Sequence, residues 1–336
     1  MSFVQGYMKL VRRILPSPLS IAVILTIVTA VLALVFTKPA TGQNAFIRIV
    51  DYWHMGFWDF LAFTMQMMLM LVLGHTIALS TSANKLIKKI TGLCKSNIQS
   101  AVFVTFFSIA AGYVNWGLGL IFGAILARKV GEHAKEKGIS LNYPLIAACG
   151  YTSLMVWHGG LSGSAPLTVN TENHSLMDTI GIIPMSDTIL STSNLVAIVA
   201  TLVILPLFAL LLAKRPFKKS YPKSIKNTHD KNISVHGAER LDHSRILGFS
   251  FGAVFIAYWV YLWWSNDFSL NFLSLNTINF ILFGAAITAH GSLHKFMHAA
   301  GNAIQGSTGI MIQFPLYAGI MGIMNHSGLL AVFADF

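Results

Sequence analysis

The stretch IQSAVFVTFFSIAAGYVNWGLGLIFGAILA, residues 98–127, decides the fold. It is longer than the roughly 20 apolar residues that one membrane crossing needs, and basic residues flank it on both sides, Lys95 before it and Arg128 after it. Because positive charges stay on the cytoplasmic side of a membrane, both ends are expected there. Its centre, residues 112–119, holds three glycines, which are poor helix formers. The stretch therefore predicts a re-entrant hairpin over 98–127, with a single long helix kinked at its glycines as the alternative.

The composition extends this interpretation to the whole chain. Of 336 residues, 54% are hydrophobic and 10% are charged, whereas a soluble domain carries about 25% charged residues. The net charge of +11 is concentrated between the apolar blocks, which is typical of cytoplasmic loops and not of a nucleic-acid-binding surface. Cys94 and Cys149 form no CxxC pair, so neither a disulfide framework nor a zinc cluster is indicated. We expect an all-α polytopic membrane protein in a lipid bilayer, without a nucleic-acid partner.

Apolar blocks and basic loops predict the topology. Lys9, Arg12 and Arg13 place the N-terminus in the cytoplasm, and the connection through Gly56 then lies outside. Loops 81–97 and 128–141 are expected inside, and residues 165–188, which contain no lysine or arginine, outside. The expected spans are about 19–36, 57–80, the hairpin 98–127, a broken helix 142–166, 189–213, 246–264, 276–289 and 303–325.

Two interruptions of the apolar blocks form the candidate binding site. The first is the hairpin centre around Asn115, and the second is GGLSGSAP at 159–166. In many transporters, discontinuous helices point their N-termini at anionic substrates, and glycine lets the backbone approach closely. Ser162, Ser164 and Asn115 add hydrogen-bond donors. This chemistry predicts a site for a small carboxylate, and an ordinary extracellular turn at 159–166 is the alternative.

Other chemistry has no matching pattern in the sequence. It contains no GxxxxGK[ST] phosphate loop and no HExxH motif, so neither ATP hydrolysis nor a metalloprotease is indicated, and we expect no enzyme and no bound cofactor. His290, His294 and His298 recur every four residues on one expected helical face, where solvation at the inner interface is preferred to metal binding. His158 lies inside the candidate site, either as a donor or pH-sensitive group or as a histidine bonded to a carbonyl.

Five longer motifs carry the most specific information. They are DYWHMGFW at 51–58, LAFTMQM at 61–67, YVNWGLG at 113–119, GGLSGSAP at 159–166 and IQFPLYAGI at 312–320. They resemble the short-chain fatty acid transporter family, associated with acetoacetate and butyrate use, over essentially the whole chain. The resemblance implies a hairpin tip at 115–117 and a broken-helix loop at 162–164. The substrate-binding residues expected from the motifs and the interruptions are Asn115, Trp116, Gly117, His158, Gly160, Ser162, Gly163 and Ser164.

The resemblance also implies the domain organisation. In the wider ion-transporter group to which the family belongs, two inverted repeats each supply a hairpin and a broken helix. Residues 1–213 are then a first repeat, 214–245 a basic cytoplasmic linker and 246–336 an incomplete second repeat; Met65-Gln66 corresponds to Ile312-Gln313, 247 residues later. Family members continue into a second hairpin, so we expect this chain to be C-terminally truncated.

The function expected from these features is secondary transport of short-chain fatty acids across the bacterial inner membrane. A homodimer is expected, with Na⁺ or H⁺ as the coupling ion. The alternative is a truncated, non-transporting membrane fragment or subunit that needs a partner for the missing half.

Overall fold

The computed structural model describes residues 6–7, 10–11, 14–37, 44–172, 174, 177–223 and 237–334. Lys9, Arg12 and Arg13, on which the predicted cytoplasmic N-terminus rests, lie outside the described residues, as does the linker segment 224–236. The α-helices are α1 Pro18–Phe36, α2 Ala45–Asp59, α3 Leu61–Ala78, α4 Thr81–Leu93, α5 Asn97–Val114, α6 Trp116–Glu136, α7 Tyr143–Tyr151, α8 Ser164–Val169, α9 Met177–Ile180, α10 Thr192–Ala213, α11 Glu239–Asp242, α12 Arg245–Ser265, α13 Leu275–His290, α14 Leu293–Ile304, α15 Thr308–Ser327 and α16 Leu329–Ala334. Short 3₁₀ helices lie at Thr152–Val156, Met185–Asp187 and Gln305–Ser307.

Several of these helices can cross a membrane. Within the described ranges, six helical segments are long and apolar enough, by length and composition. The six are Pro18–Phe36, Leu61–Ala78, Asn97–Val114, Thr192–Ala213, Arg245–Ser265 and Leu293–Ser327. The expected class, an all-α polytopic membrane protein, is confirmed.

The chain forms two compact units, residues 1–68 with 306–336, and residues 69–305. In the first unit, α2 packs closely on α15, because a Cβ on Gly56 would lie 2.5 Å from the Cα of Gly322. The rings of Phe63 and Phe314 stack with centroids 5.9 Å apart. These units have other bounds than the expected repeats, which therefore stay a prediction.

The second unit contains the expected hairpin. Helices α5 and α6 meet at Asn115, the single non-helical residue between them. They run antiparallel, since a Cβ on Gly119 would lie 2.6 Å from the backbone nitrogen of Gly112 and a Cβ on Gly123 would lie 2.9 Å from Ser108 Oγ. Both pairs are placed symmetrically about the turn. The chain thus folds back at the expected tip, while re-entry from one side of a membrane stays a prediction.

Asn97 ties three segments together at the open end of the hairpin. Its Nδ2 donates to the carbonyl of Ala213, and its Oδ1 accepts from the backbone N–H of Asn142, both at 2.9 Å. The start of the linker lies there too, because the backbone N–H of Ser220 donates to the carbonyl of Leu141 at 2.9 Å. The open end of the hairpin, the first residue of the broken helix and the last residue of α10 therefore lie together at one end of the unit.

The expected broken helix is interrupted where the glycines and serines cluster. Helix α7 continues as the 3₁₀ helix Thr152–Val156, turns follow over 157–162, and α8 begins at Ser164. A loop was expected at 81–97, but α4 occupies most of it. Ser80 accepts from the backbone N–H of Ala83 at its start, and Ile87 and Ile90 are buried while the lysines face outward.

The expected helical face of His290, His294 and His298 is wrong. Gly291, at φ +70°, ends α13 directly after His290, and Ser292 caps the start of α14. A glycine in the left-handed conformation followed by a serine is a stop and a start signal, so His290 lies on another helix. Its Nε2 lies 2.8 Å from the carbonyl oxygen of Thr76.

Candidate functional site

Asn115 shapes the tip of the hairpin with its backbone and its side chain together. Its backbone N–H donates to the carbonyl of Ala111 at 3.0 Å and closes α5. Its Oδ1 accepts from the backbone N–H of Leu118 at 2.8 Å and caps α6, as asparagine commonly does at an N-cap. The residue is fully buried, with 0% of its surface exposed. One extended residue therefore reverses the chain without leaving a frayed helix end.

The broken-helix loop packs directly on this tip. The backbone N–H of Leu161 donates to the carbonyl of Tyr113 at 2.8 Å, and the backbone N–H of Trp116 donates to Ser162 Oγ at 3.0 Å. A Cβ on Gly160 would lie 2.7 Å from the Tyr113 carbonyl oxygen, so only glycine allows this approach. Ser162 accepts in its bond to Trp116, which leaves its hydroxyl proton for another acceptor.

Helix α3 covers the tip from another side. A Cβ on Gly74 would lie 2.5 Å from the backbone nitrogen of Leu118, and a Cβ on Gly117 would lie 2.8 Å from the Cα of Leu71. The indole Nε1 of Trp116 donates to Met70 Sδ at 3.2 Å. The tip is therefore enclosed by backbone and apolar side chains, in which a polar bond has little competition from water.

Three aromatic rings run from the tip towards the surface. The rings of Trp116 and Trp157 stack with centroids 4.9 Å apart and planes at 23°, and those of Trp157 and His158 stack at 4.9 Å and 8°. Trp116 is buried and His158 is exposed. The stack provides one apolar wall that connects the buried tip with the outside of the unit.

A neutral donor at the tip lies at a position that favours negative charge. Asn115 Nδ2 is buried and has no hydrogen-bond partner among the residues that the structure describes, whereas buried polar groups are almost always paired. The amide lies at the N-terminus of the 21-residue helix α6, where the helix dipole favours negative charge. Over the described ranges, no group of three or more His, Cys, Asp or Glu residues is placed to hold a metal ion.

The structure brings most of the expected site residues together. Asn115, Trp116, Gly117, Gly160 and Ser162 belong to the packed tip. The backbone N–H of Gly163 donates to the carbonyl of Gly160 at 2.9 Å and so closes the loop. Ser164 opens α8 and is half-buried, and His158 joins only through the exposed end of the ring stack.

Two residues of this site were missed by the sequence analysis. Asn194 Nδ2, from the first turn of α10, donates to the carbonyl of Gly159 at 2.9 Å and holds the loop. The sequence indicates Asn194 only as a polar side chain in the first turn of an otherwise apolar helix. Trp157 is the second missed residue, because only the fold brings its ring onto that of Trp116.

Within the part of the chain that the structure describes, six helical segments long and apolar enough to cross a membrane, together with a polar tip buried between a helical hairpin and a broken helix, are typical of a polytopic membrane protein of the transporter class. The profile of a family described as "Short chain fatty acid transporter" matches residues 2–334, and the chain belongs to this family. It is 35% identical to proteins of Escherichia coli (strain K12) and Haemophilus influenzae (strain ATCC 51907 / DSM 11121 / KW20 / Rd), each named "Putative short-chain fatty acid transporter". These alignments cover 98% and 97% of this chain and 73% of each relative. No solved structure matches the chain.

The family membership confirms the resemblance inferred from the five motifs, and the chain is a short-chain fatty acid transporter. The matches take in nearly the whole chain and 73% of each relative, and the expected C-terminal truncation stays a prediction. The alternative of a non-transporting fragment is not favoured.

Proposed function

We propose that the chain carries acetoacetate, butyrate and similar small monocarboxylates across the bacterial inner membrane, and that it binds them at the hairpin tip. The observation that carries the proposal is the fully buried Asn115, whose Nδ2 has no partner within the described part of the chain. A buried donor without a partner costs about 1–3 kcal/mol. A carboxylate oxygen would remove this cost.

The surroundings of the tip favour a small monoanion. Asn115 and Ser162 are neutral donors, and the α6 dipole contributes only about half an elementary charge. The arrangement would thus suit one carboxylate better than two. Trp116, Trp157 and Leu71 offer apolar surface for a short acyl chain, which gains about 0.8 kcal/mol for each buried CH₂ group.

Orientation, coupling and assembly belong to the same proposal. The basic segment 128–141 was expected to be a loop, but its residues 128–136 belong to α6. This segment and the start of the linker lie at the open end of the hairpin, and we place this end in the cytoplasm with the N-terminus. The chain works as a homodimer and is driven by Na⁺ or H⁺. Uptake under an imposed sodium gradient, compared with uptake under an imposed pH gradient, separates the two ions.

Asn115→Asp is the sharpest test of the tip. The carboxylate of Asp keeps the acceptor that caps α6, but it replaces the Nδ2 donor with a negative acceptor that repels an anion. Ser162→Ala removes the second side-chain donor, and Asn115→Ala removes donor and cap together. Asn266→Ala is the matched control, because Asn266 caps the end of α12 and its amide donates to the carbonyl of Leu262.

Uptake of radiolabelled butyrate into proteoliposomes is the measurement. Ser162→Ala should raise KM by roughly 5- to 150-fold, the equivalent of losing one buried hydrogen-bond partner, and Asn115→Asp should raise it further. Asn266→Ala should leave KM unchanged. A parental KM in Ser162→Ala and in Asn115→Asp, at equal protein insertion, would show that the tip is not the binding site.

A further inference from the structure

Trp157 is the first residue after the 3₁₀ helix of the broken segment, and it lies between two other rings. Its indole stacks on Trp116 and on His158, with both centroid distances at 4.9 Å. Two stacked neighbours restrict the rotation of the ring, so the direction in which its N–H points is restricted as well.

This N–H is buried, and nothing in the described part of the chain accepts it. An indole nitrogen is a donor only, so the group cannot be satisfied by a neighbouring donor. The indole of Trp116, one ring further in, gives its N–H to Met70 Sδ at 3.2 Å. Of the two stacked indoles, the inner one is therefore occupied and the outer one lacks an acceptor among the described residues.

Asn115, like Trp157, carries a buried donor without an acceptor in the part of the chain that the structure describes. The buried Nδ2 of Asn115 and the buried Nε1 of Trp157 are both donors without a partner inside the described ranges, and the Trp116 ring connects the two residues. A carboxylate presents two oxygens and about four lone-pair positions. It is the simplest single ligand that satisfies two separate neutral donors.

We propose that Trp157 is a substrate-binding residue whose indole N–H donates to one carboxylate oxygen, while Asn115 Nδ2 donates to the other. The inference rests on the proposed site at the hairpin tip and adds a residue to it. The donor also provides selectivity, because a hydrogen bond to an ionised acceptor is roughly twice as strong as one to a neutral acceptor. Trp157 therefore favours a carboxylate over an uncharged molecule of equal length.

The test removes the N–H and keeps a flat ring. Trp157→Phe preserves an aromatic face for stacking, and Trp259→Phe is the matched control. Trp259 Nε1 is likewise buried without a partner among the described residues, but its ring packs on Phe272, with centroids 5.5 Å apart, and not in the stack of Trp116, Trp157 and His158. Butyrate uptake and its inhibition by butyramide are measured for both variants.

Trp157→Phe should raise the KM for butyrate about tenfold, as expected for losing one buried donor. It should leave inhibition by butyramide close to parental, and Trp259→Phe should change neither. An unchanged KM in Trp157→Phe overturns the proposal. So does an equal loss for butyrate and butyramide, because only the shape of the ring would then matter.

A measurement on the parent protein covers the case in which Trp157→Phe does not insert. The chain has seven tryptophans, and ¹⁵N labelling of their indoles gives one NMR resonance for each. Saturation with butyrate should move one indole proton downfield, and the absence of any such shift overturns the proposal. Asn115→Asp and Ser162→Ala distinguish a failure of the Trp157 proposal from a failure of the proposed site at the tip. If they weaken butyrate uptake while Trp157→Phe does not, Trp157 is excluded and the tip stands; if none of the three weakens it, the tip itself fails.

Discussion

Replacing Gly119 with alanine tests how closely the two arms of the hairpin must approach. The added Cβ would lie 2.6 Å from the backbone nitrogen of Gly112, where ordinary contact begins at 3.4 Å. The arms must separate by about 1 Å, because backbone on both sides cannot rotate away as a side chain can. Overpacking of this kind costs about 1–3 kcal/mol, whereas alanine gains about 1 kcal/mol over glycine in a helix. Since the clash is with backbone, the upper end of the cost applies, and a net loss of about 1–2 kcal/mol is expected.

Gly92→Ala is the matched control for this prediction. Gly92 lies in α4, is exposed, and has nothing within 4 Å of its would-be Cβ, so alanine there gains helix propensity without a clash. The assay is the melting temperature of the purified protein in detergent, read as the fraction that stays monodisperse after heating. Gly119→Ala should melt below the parent, and Gly92→Ala at or above it. If Gly119→Ala melts as high as Gly92→Ala, the arms do not pack as described.

Three further predictions concern reactivity, pH and topology. Burial raises the pKa of the Cys94 thiol to about 11, and its hydrogen bond with Ser100 lowers the pKa by a smaller amount, so maleimide should label Cys94 slowly at pH 8. Because the pKa is raised on folding, the stability that the protonated thiol contributes is complete below pH 9 and is lost towards pH 11. Cys94→Ala should abolish that loss. His158→Gln should change the pH profile of butyrate uptake more than its maximum rate, and a profile that superimposes on the parental one would leave His158 a structural role. After both cysteines are replaced, a new cysteine at position 178 should react with an impermeant reagent from outside and one at position 135 should not; the reverse pattern would exclude the proposed orientation.

The features that sequence predicted are those with a local cause. Three glycines and Asn115 in the middle of an apolar block are unfavourable in a continuous helix, and the chain does turn there. Helices α2 and α4 were not expected, because each carries buried apolar residues beside exposed polar ones and neither forms a continuous apolar block. Asn194 lies 35 residues from the carbonyl that it holds. Such a pairing is decided by packing between distant segments, which no short pattern encodes.

Helix α10 links the loop over the tip to the thickness of the bilayer. Its 22 residues extend about 33 Å, slightly more than a hydrocarbon layer of about 30 Å, and only 17% of its most apolar stretch is buried in the protein. A helix that is longer than the hydrocarbon layer is thick accommodates the mismatch by tilting. Asn194, in the first turn of α10, donates to the carbonyls of Gly159 and Ile189 at 2.9 and 2.6 Å. We therefore expect a change in the tilt of α10 in a thinner membrane to displace the loop that covers the hairpin tip. The lipid acyl-chain length in proteoliposomes should accordingly alter the apparent affinity for butyrate, so that the membrane itself acts as a modulator of the carrier.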